Sequence, residues 1–252
     1  MKLYDYLYIL MEKMVLDMKI LIIGGSSDIG INLAKKFKDN GHLVISTYNR
    51  NIFSLPGVEV YKCDVRYEED IERVIKYGCK IFDNDFILIN LANICMDNSI
   101  MNKTKKEFME VLEVNLVGMF LCNQIYSRYV NDGMIINMAS TDGIDTYSEY
   151  GIDYAVSKAG IIQMSKCIDK YTENKVICIC PNWIDSDSTR LMNKEYLQSE
   201  LERIGQSRLI TMEELIDSMY EIIVDSYNNS KDKIDKMIRI DIRDDKLWIE
   251  RI

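Results

Sequence analysis

Four things are scarce in this chain of 252 residues: basic charge, histidine, paired cysteines and long apolar runs. The net charge is -9. Affinity for a phosphate backbone comes mainly from clustered Lys and Arg, so the balance argues against a nucleic-acid partner. His42 is the only histidine. Cys178 and Cys180 could suggest a metal pair, yet no histidine lies near them in sequence to extend a zinc set, and Lys175-Val-Ile-Cys-Ile-Cys180 reads as a buried strand. No metal is expected. The seven cysteines are scattered and odd in number, which suits a reducing, cytoplasmic setting better than a disulfide framework. No apolar run reaches the length of a membrane span, so no membrane partner is expected. Residues 1–17 mix Leu3, Tyr4, Leu7, Tyr8, Leu10 and Met11 with Asp5, Glu12 and Asp17, unlike the clean apolar stretch of a secretory signal. They read as an N-terminal extension, either an amphipathic helix or an upstream start before Met18.

What is present is an alternation of strand and helix patterns. Apolar, β-branched runs fall near 18–23, 42–47, 58–63, 86–91, 134–139, 175–180 and 236–241. Amphipathic segments fall near 29–39, 67–77, 104–130, 152–173 and 211–226. Buried strands between such helices imply a parallel sheet covered on both faces. The expected fold is a single α/β domain over 18–252, a doubly wound sheet of about seven strands of Rossmann type. Gly41 sits where a left-handed helix cap belongs, and Thr211-Met-Glu-Glu214 is a capping-box start. The tail Leu247, Trp248, Ile249 and Ile252 reads as apolar packing on the body or across a subunit boundary. The segment 183–210 follows a strand's C-terminal end, the edge that holds the ligand crevice in such sheets, so it is the expected substrate lid.

The first strand runs into Gly24-Gly25-Ser26-Ser27-Asp28-Ile29-Gly30, and an amphipathic helix follows. A glycine turn at that place lets backbone N–H groups approach a pyrophosphate, and the helix dipole favours its charge. Further on, Ser140-Thr-Asp-Gly143 precedes Tyr154-Ala-Val-Ser-Lys158-Ala159. Tyr-x-x-x-Lys also occurs at Tyr171/Lys175 and Tyr227/Lys231, but only Tyr154 has a serine at a strand end fourteen residues upstream. Lys158 falls one helical turn after Tyr154 on the same face. His42, at the opposite strand edge, reads as structural.

These motifs resemble the short-chain dehydrogenase/reductase family, and the resemblance covers nearly everything after residue 18. Asn90-Leu91-Ala92-Asn93, Asn115-Leu-Val-Gly118, Pro181-Asn-Trp-Ile-Asp-Ser186 and Arg208-Leu-Ile-Thr-Met-Glu-Glu214 stand at further family motifs. The resemblance implies a dinucleotide held by Gly24, Ser26, Ser27, Ile29, Gly30, Asn49, Arg50, Asp64, Val65, Asn90, Ala92, Tyr154, Lys158, Pro181 and Ile184. It also implies a catalytic set of Asn115, Ser140, Tyr154 and Lys158. A free phenol ionises near pH ~10, and the Lys158 ammonium is expected to lower that value. Tyr154 would then exchange a proton with the carbonyl oxygen while Ser140 bonds the same atom. Asn115 is expected to hold a relaying water.

Where the family prefers Gly, this chain has Asp28, Asn93 and Asn182. Asn and Asp tolerate left-handed backbone, so these turns are expected to survive. Asp28 is expected to point outward or to cap the helix at Ile29. The second strand ends Ser46-Thr47-Tyr48-Asn49-Arg50, with no acid to hold a free ribose. NADP(H) is therefore favoured, with NAD(H) the alternative. The set is similar to that of 3-oxoacyl-[acyl-carrier-protein] reductases. However, Tyr126-Ser-Arg128-Tyr-Val-Asn-Asp132 offers one cation to an acidic carrier. A small free ketone, a sugar-like carbonyl or a secondary alcohol is at least as good a substrate. The resemblance further implies a homo-oligomer, a tetramer or dimer, through helices 104–130 and 152–173. The rival reading is a catalytically silent dinucleotide-binding regulator.

Overall fold

A computed structural model of the chain describes residues 17–229 and 237–252. The expected N-terminal extension lies outside the described residues except for Asp17. Eight strands form one sheet: β1 (Lys19–Ile23), β2 (Leu43–Tyr48), β3 (Glu59–Lys62), β4 (Ile87–Asn90), β5 (Met134–Met138), β6 (Lys175–Pro181), β7 (Met237–Arg243) and β8 (Lys246–Arg251). Their spatial order is β3-β2-β1-β4-β5-β6-β7-β8. The first seven run parallel, and β8 pairs antiparallel with β7. The chain reverses direction across the sheet between β1 and β4, the switch point where such folds bind ligands.

The helices are α1 (Asp28–Asp39), α2 (Glu68–Phe82), α3 (Lys105–Tyr129), α4 (Ile152–Tyr171), α5 (Asp187–Arg190), α6 (Lys194–Ile204) and α7 (Met212–Asn228). On one face of the sheet Leu33 and Phe37 of α1 share a core with Leu215, Met219 and Ile223 of α7. On the other, Ile71, Val74 and Ile75 of α2 pack with Cys122, Ile125 and Tyr126 of α3. Every residue of β4 and β5 is buried, as expected of strands covered on both faces. Cys178 and Cys180 are buried in β6, which agrees with the packing reading.

Capping places the helix starts. Ser27 accepts from the Gly30 N–H to open α1, and Gly41 at φ 88° follows its end. Thr104/Glu107 and Thr211/Glu214 form reciprocal boxes at α3 and α7, each side chain worth about 1 kcal/mol. His42 is buried behind α1, where Nδ1 accepts from the Met18 N–H at 3.3 Å and Nε2 meets the Tyr220 hydroxyl at 3.2 Å. Its role is structural, as the sequence suggested.

Three expectations change. The sheet has eight strands rather than about seven, because the apolar tail is a strand. Asp244 and Asp245, at φ 49° and 59°, make the two-residue turn between β7 and β8. Both lie in the left-handed region that such hairpin turns need, and Asp tolerates it. Secondly, α3 is 25 residues long, and its most apolar stretch is long and apolar enough to cross a membrane. Its inner face instead buries Val111, Asn115, Gly118, Cys122, Ile125 and Tyr126, the pattern of a core helix. Thirdly, Asp28, Asn93 and Asn182 are absent from the positive-φ positions. Those turns use ordinary backbone, and the Asp28 and Asn182 side chains bond other parts of the chain.

Candidate active site

A cleft of about 1220 Å³ runs over the C-terminal ends of the central strands. It begins at the turn between β1 and α1. Gly24 has φ 81°, and a Cβ there would lie 2.4 Å from the Ala92 nitrogen. The turn after β1 can therefore sit directly against the end of β4 only with glycine. Ser26, Ser27, Asp28 and Ile29 line the cleft at the N-terminus of α1, where backbone N–H groups and the helix dipole suit an anion. The cleft continues past Asn49, Arg50, Asp64, Val65 and Ala92 to Ser140, Tyr154, Lys158, Pro181 and Ile184. Gly30, Asn90 and Asn115 stand behind this wall. Asn90 is buried and donates to Asn123 and Asn137 at 2.8 and 2.9 Å. It braces β4 against β5 and α3.

The far end brings together Ser140, Tyr154 and Lys158. Ser140 ends β5 and opens a 3-10 turn, Thr141–Gly143, in which its Oγ accepts the Asp142 N–H at 3.1 Å. A Cβ on Gly143 would meet the Ala159 nitrogen at 2.6 Å, so glycine lets this turn lie on the backbone of α4. Tyr154 and Lys158 rise from that same stretch of α4. Lys158 is 2% exposed. Its Nζ donates to the Met138 carbonyl at 3.1 Å and lies 5.1 Å from the centre of the Tyr154 ring. Burial pulls its pKa down to about 8. Asn115 occupies a π-helical turn, Glu113–Gly118, within α3. Its amide accepts from the Ile94 N–H at 2.8 Å and donates to the Ile94 carbonyl at 2.9 Å, fixing the strand-end loop that walls the cleft.

The electrostatics differ from the expectation at Tyr154. Burial pushes the phenol well above its ordinary value, and the charges of Asp142 and Cys95 push the same way, while a hydrogen bond with Ser140 pulls down. Lys158 faces the ring and bonds a carbonyl, so its ammonium does not offset the burial. Asp142 is itself pushed up to about 6 by burial, despite a bond from the Thr146 hydroxyl at 2.9 Å.

Asp28 neither caps Ile29 nor points into solvent. Ser27 takes the capping role, and the Asp28 carboxylate accepts the Asp187 N–H at 3.0 Å. It thus ties the phosphate turn to the segment 183–210. That segment is pinched at its base, where Ile210 N–H donates to Trp183 at 3.0 Å and Asp185 N–H to Ile210 at 2.8 Å. Asn182 is buried and bonded to Thr141 and Asp241 at 3.1 and 2.8 Å, a polar link between β6, β7 and the serine turn. Sequence reasoning missed Arg66, which holds Asp64 at 2.5 Å, and the cleft residues Cys95, Asp97, Asp142, Tyr150 and Tyr196. Only Asp142 carried a signal, as the third residue of Ser-x-x-Gly.

Comparison with known proteins agrees with this geometry. The short chain dehydrogenase family model matches residues 18–197. The 3-oxoacyl-[acyl-carrier-protein] reductase MabA of Mycobacterium tuberculosis is 28% identical over 206 residues, 78% of this chain and 81% of that protein. A dehydrogenase/reductase from Sinorhizobium meliloti shares the fold with a TM-score of 0.74 at 22% identity, covering 84% of this chain and 92% of that one. A short chain dehydrogenase from Leptospira borgpetersenii, solved with bound NAD+, gives a TM-score of 0.71 at 25% identity, covering 81% and 84%.

Proposed function

The chain belongs to the short-chain dehydrogenase family of NAD(P)-dependent oxidoreductases acting on CH–OH and C=O groups, and from that premise we propose that Tyr154 is its proton donor and acceptor, NADP(H) its preferred cofactor and a small neutral carbonyl or secondary alcohol its substrate. The observation that carries this reading is the meeting of Ser140, Tyr154 and Lys158 in one cleft with the glycine turn at the start of α1.

The cleft fits a dinucleotide. Gly24 keeps the turn low, Ser26, Ser27 and Ile29 ring the helix N-terminus, and Asp64, Val65 and Ala92 line the path beyond. A bound nicotinamide supplies or accepts the hydride. In the reducing direction Tyr154 gives its proton to the carbonyl oxygen, and in the oxidising direction it takes the proton back. Burial keeps Tyr154 protonated, which suits an acid. The Ser140 oxygen accepts from the Asp142 N–H and its hydroxyl bonds the Tyr154 phenol, which sets that O–H beside the phenol where it can turn to the substrate oxygen. Lys158 offers its ammonium to ribose hydroxyls. Asn115 holds the Ile94 wall and supports the proton path towards Lys158. The segment 183–210 acts as a lid over the substrate.

Support for NADP(H) comes from the missing acid at the end of β2 and from Arg50, which is exposed and lines the cleft. The Asp64 carboxylate is neutralised by Arg66. Support for a small free substrate comes from the cleft's charge. Arg50, Arg66 and Lys158 are the only Lys or Arg among the described residues lining it, against Asp28, Asp64, Asp97, Glu110, Asp142 and Asp187. An acidic carrier would meet repulsion there. Val117 and Phe120 of α3 and Val156 of α4 are exposed apolar side chains that a second copy would cover. The test is a spectrophotometric screen of NADPH and NADH against ketones and sugar-like carbonyls, with alcohols run in reverse. Turnover with NADPH ahead of NADH is the expected result. Tight cofactor binding with no turnover across the panel would replace the enzyme reading with that of a silent regulator.

A further inference from the structure

Beside the reactive set lies an ion pair that the chemistry above does not use. Lys103 Nζ stands 2.9 Å from Asp153 Oδ2, and the two side chains are 4% and 0% exposed. Lys103 also donates to the Met96 carbonyl. The second carboxylate oxygen, Asp153 Oδ1, accepts the backbone N–H of Tyr154 at 2.9 Å. One carboxylate thus grips both a lysine from the cleft wall and the main chain of the residue that bears the phenol.

The wall is the segment 94–103, which carries Ile94, Cys95 and Asp97 into the cleft. It has three fastenings. Asn115 holds Ile94 at its start. The Asn98 N–H bonds the Tyr150 carbonyl at 3.1 Å in its middle. Lys103 anchors its end to the first turn of α4. Stripping water from both charges is costly, and an apolar pair of similar volume often serves stability as well or better. Stability alone is therefore a weak reason for the pair. Its placement gives a better one, since Asp153 precedes Tyr154 and sits in the turn where an acid also suits the helix dipole.

We propose that Lys103 and Asp153 are positioning residues for proton transfer: the pair fixes the first turn of α4 against the 94–103 wall, and so sets the reach of the Tyr154 hydroxyl to the substrate oxygen. The inference rests on Tyr154 being the proton donor. Misplacement of a reacting group by about 1 Å can cost about 100-fold in rate. Lys103→Met is expected to lower kcat at least about tenfold, while the Kd of NADPH changes less than about threefold because the phosphate turn is untouched. It also leaves the buried Asp153 carboxyl without its cation. Loss of the Lys103 ammonium removes a positive charge from the neighbourhood of the phenol, which disfavours phenolate, so the alkaline limb of the kcat/KM profile should move to higher pH. Asp153→Asn should lower kcat similarly without moving that limb upward. Lys103→Arg, which keeps the charge, should recover part of the loss. Should the single variants not fold, Lys103→Met/Asp153→Leu removes both charges together and should fold with kcat still depressed.

A merely structural pair would lower Tm and leave kcat and the pH limb in place. A kcat within twofold of wild type in any folded variant lacking the pair overturns the proposal, as does failure of every such variant to fold. Wild-type protein with no turnover would sink this inference and the enzyme reading together. An active Lys103→Met beside an inactive Tyr154→Phe would sink the positioning role alone.

Discussion

The two ends of the cleft are built on different principles. At the nucleotide end the work falls to the backbone. The Gly24 turn lies against Ala92, and the N-terminus of α1 presents N–H groups. The side chains there are largely engaged with protein: Asp64 with Arg66, Asp28 with the Asp187 N–H and Ser27 with the Gly30 N–H. At the carbonyl end the work falls to side chains. Ser140, Tyr154 and Lys158 meet there, held by bonds to the Asp142 N–H, Asp153 and the Met138 carbonyl. A backbone device tolerates changes of residue type as long as the path of the chain is kept. A side-chain device does not. The departures from the family pattern obey that division: Asp28, Asn93 and Asn182 stand at chain turns, whereas Asn115, Ser140, Tyr154 and Lys158, proposed above as the catalytic set, match the pattern.

The contrast is broken most sharply at the carbonyl end. Tyr154→Phe deletes one oxygen and should reduce kcat by about 10³-fold. Cofactor affinity, read by NADPH fluorescence, should stay within about twofold, because Tyr154 packs and bonds through its ring and backbone. Near-normal turnover would end the proton-transfer reading. Gly24→Ala strikes the backbone device in turn. The new Cβ would lie 2.4 Å from the Ala92 nitrogen at φ 81°, so the turn must shift away from β4. We expect about 100-fold weaker NADPH binding and a loss of about 2 kcal/mol in stability, measured by titration and by urea unfolding.

The same division explains what could be read without coordinates. Strand and helix positions followed from periodicity, since β1, β4, β5 and β6 are uninterrupted buried runs. That Ser140, Tyr154 and Lys158 would meet was legible because the proposed chemistry demands particular residue types at a fixed helical spacing. The eighth strand was missed because Asp244-Asp245 is an unusual pair for a tight hairpin turn. Tertiary partners were invisible for a different reason. Asp28 meets Asp187 across 159 positions and Lys103 meets Asp153 across 50, and no local pattern encodes such contacts. Burial also reversed the expected direction at Tyr154, since nothing in Tyr-x-x-x-Lys reports which way the ammonium faces.

Two substitutions sharpen the comparison at lower amplitude. Arg50→Ala should reduce the preference for NADPH over NADH about tenfold, the worth of one charge-assisted phosphate contact. Unchanged preference in parallel Kd measurements would leave Arg50 a solvated loop charge. At the carbonyl end, Asp142→Asn removes a carboxylate that raises both Tyr154 and Lys158. Above pH about 6 that group is ionised. Its removal makes both protons easier to lose, so the alkaline limb of kcat/KM should move down by about half a unit. An upward movement, or none, would show that Asp142 does not act on the pair.

The smallest effect is expected where the two ends touch. Asp28 is the carboxylate nearest the phosphate turn by sequence, and simple charge counting says that its removal should tighten cofactor binding. Its observed partner argues otherwise. The carboxylate is spent on the Asp187 N–H at 3.0 Å, where Arg190 bonds the Asp187 and Asp185 carboxylates at 3.1 and 2.8 Å. Asp28→Gly therefore removes an unfavourable charge and, in the same stroke, the bond that ties the phosphate turn to the segment proposed as the lid. An exposed charge-assisted bond of this kind is worth about 1 kcal/mol, so the two changes should largely cancel in NADPH affinity. The net change is expected to be under about fivefold. The loosened lid should show instead as faster proteolytic nicking within 186–192 and faster cofactor release by stopped flow. Binding more than about tenfold tighter, with unchanged nicking, would mean that Asp28 acts on the phosphate and not on the lid.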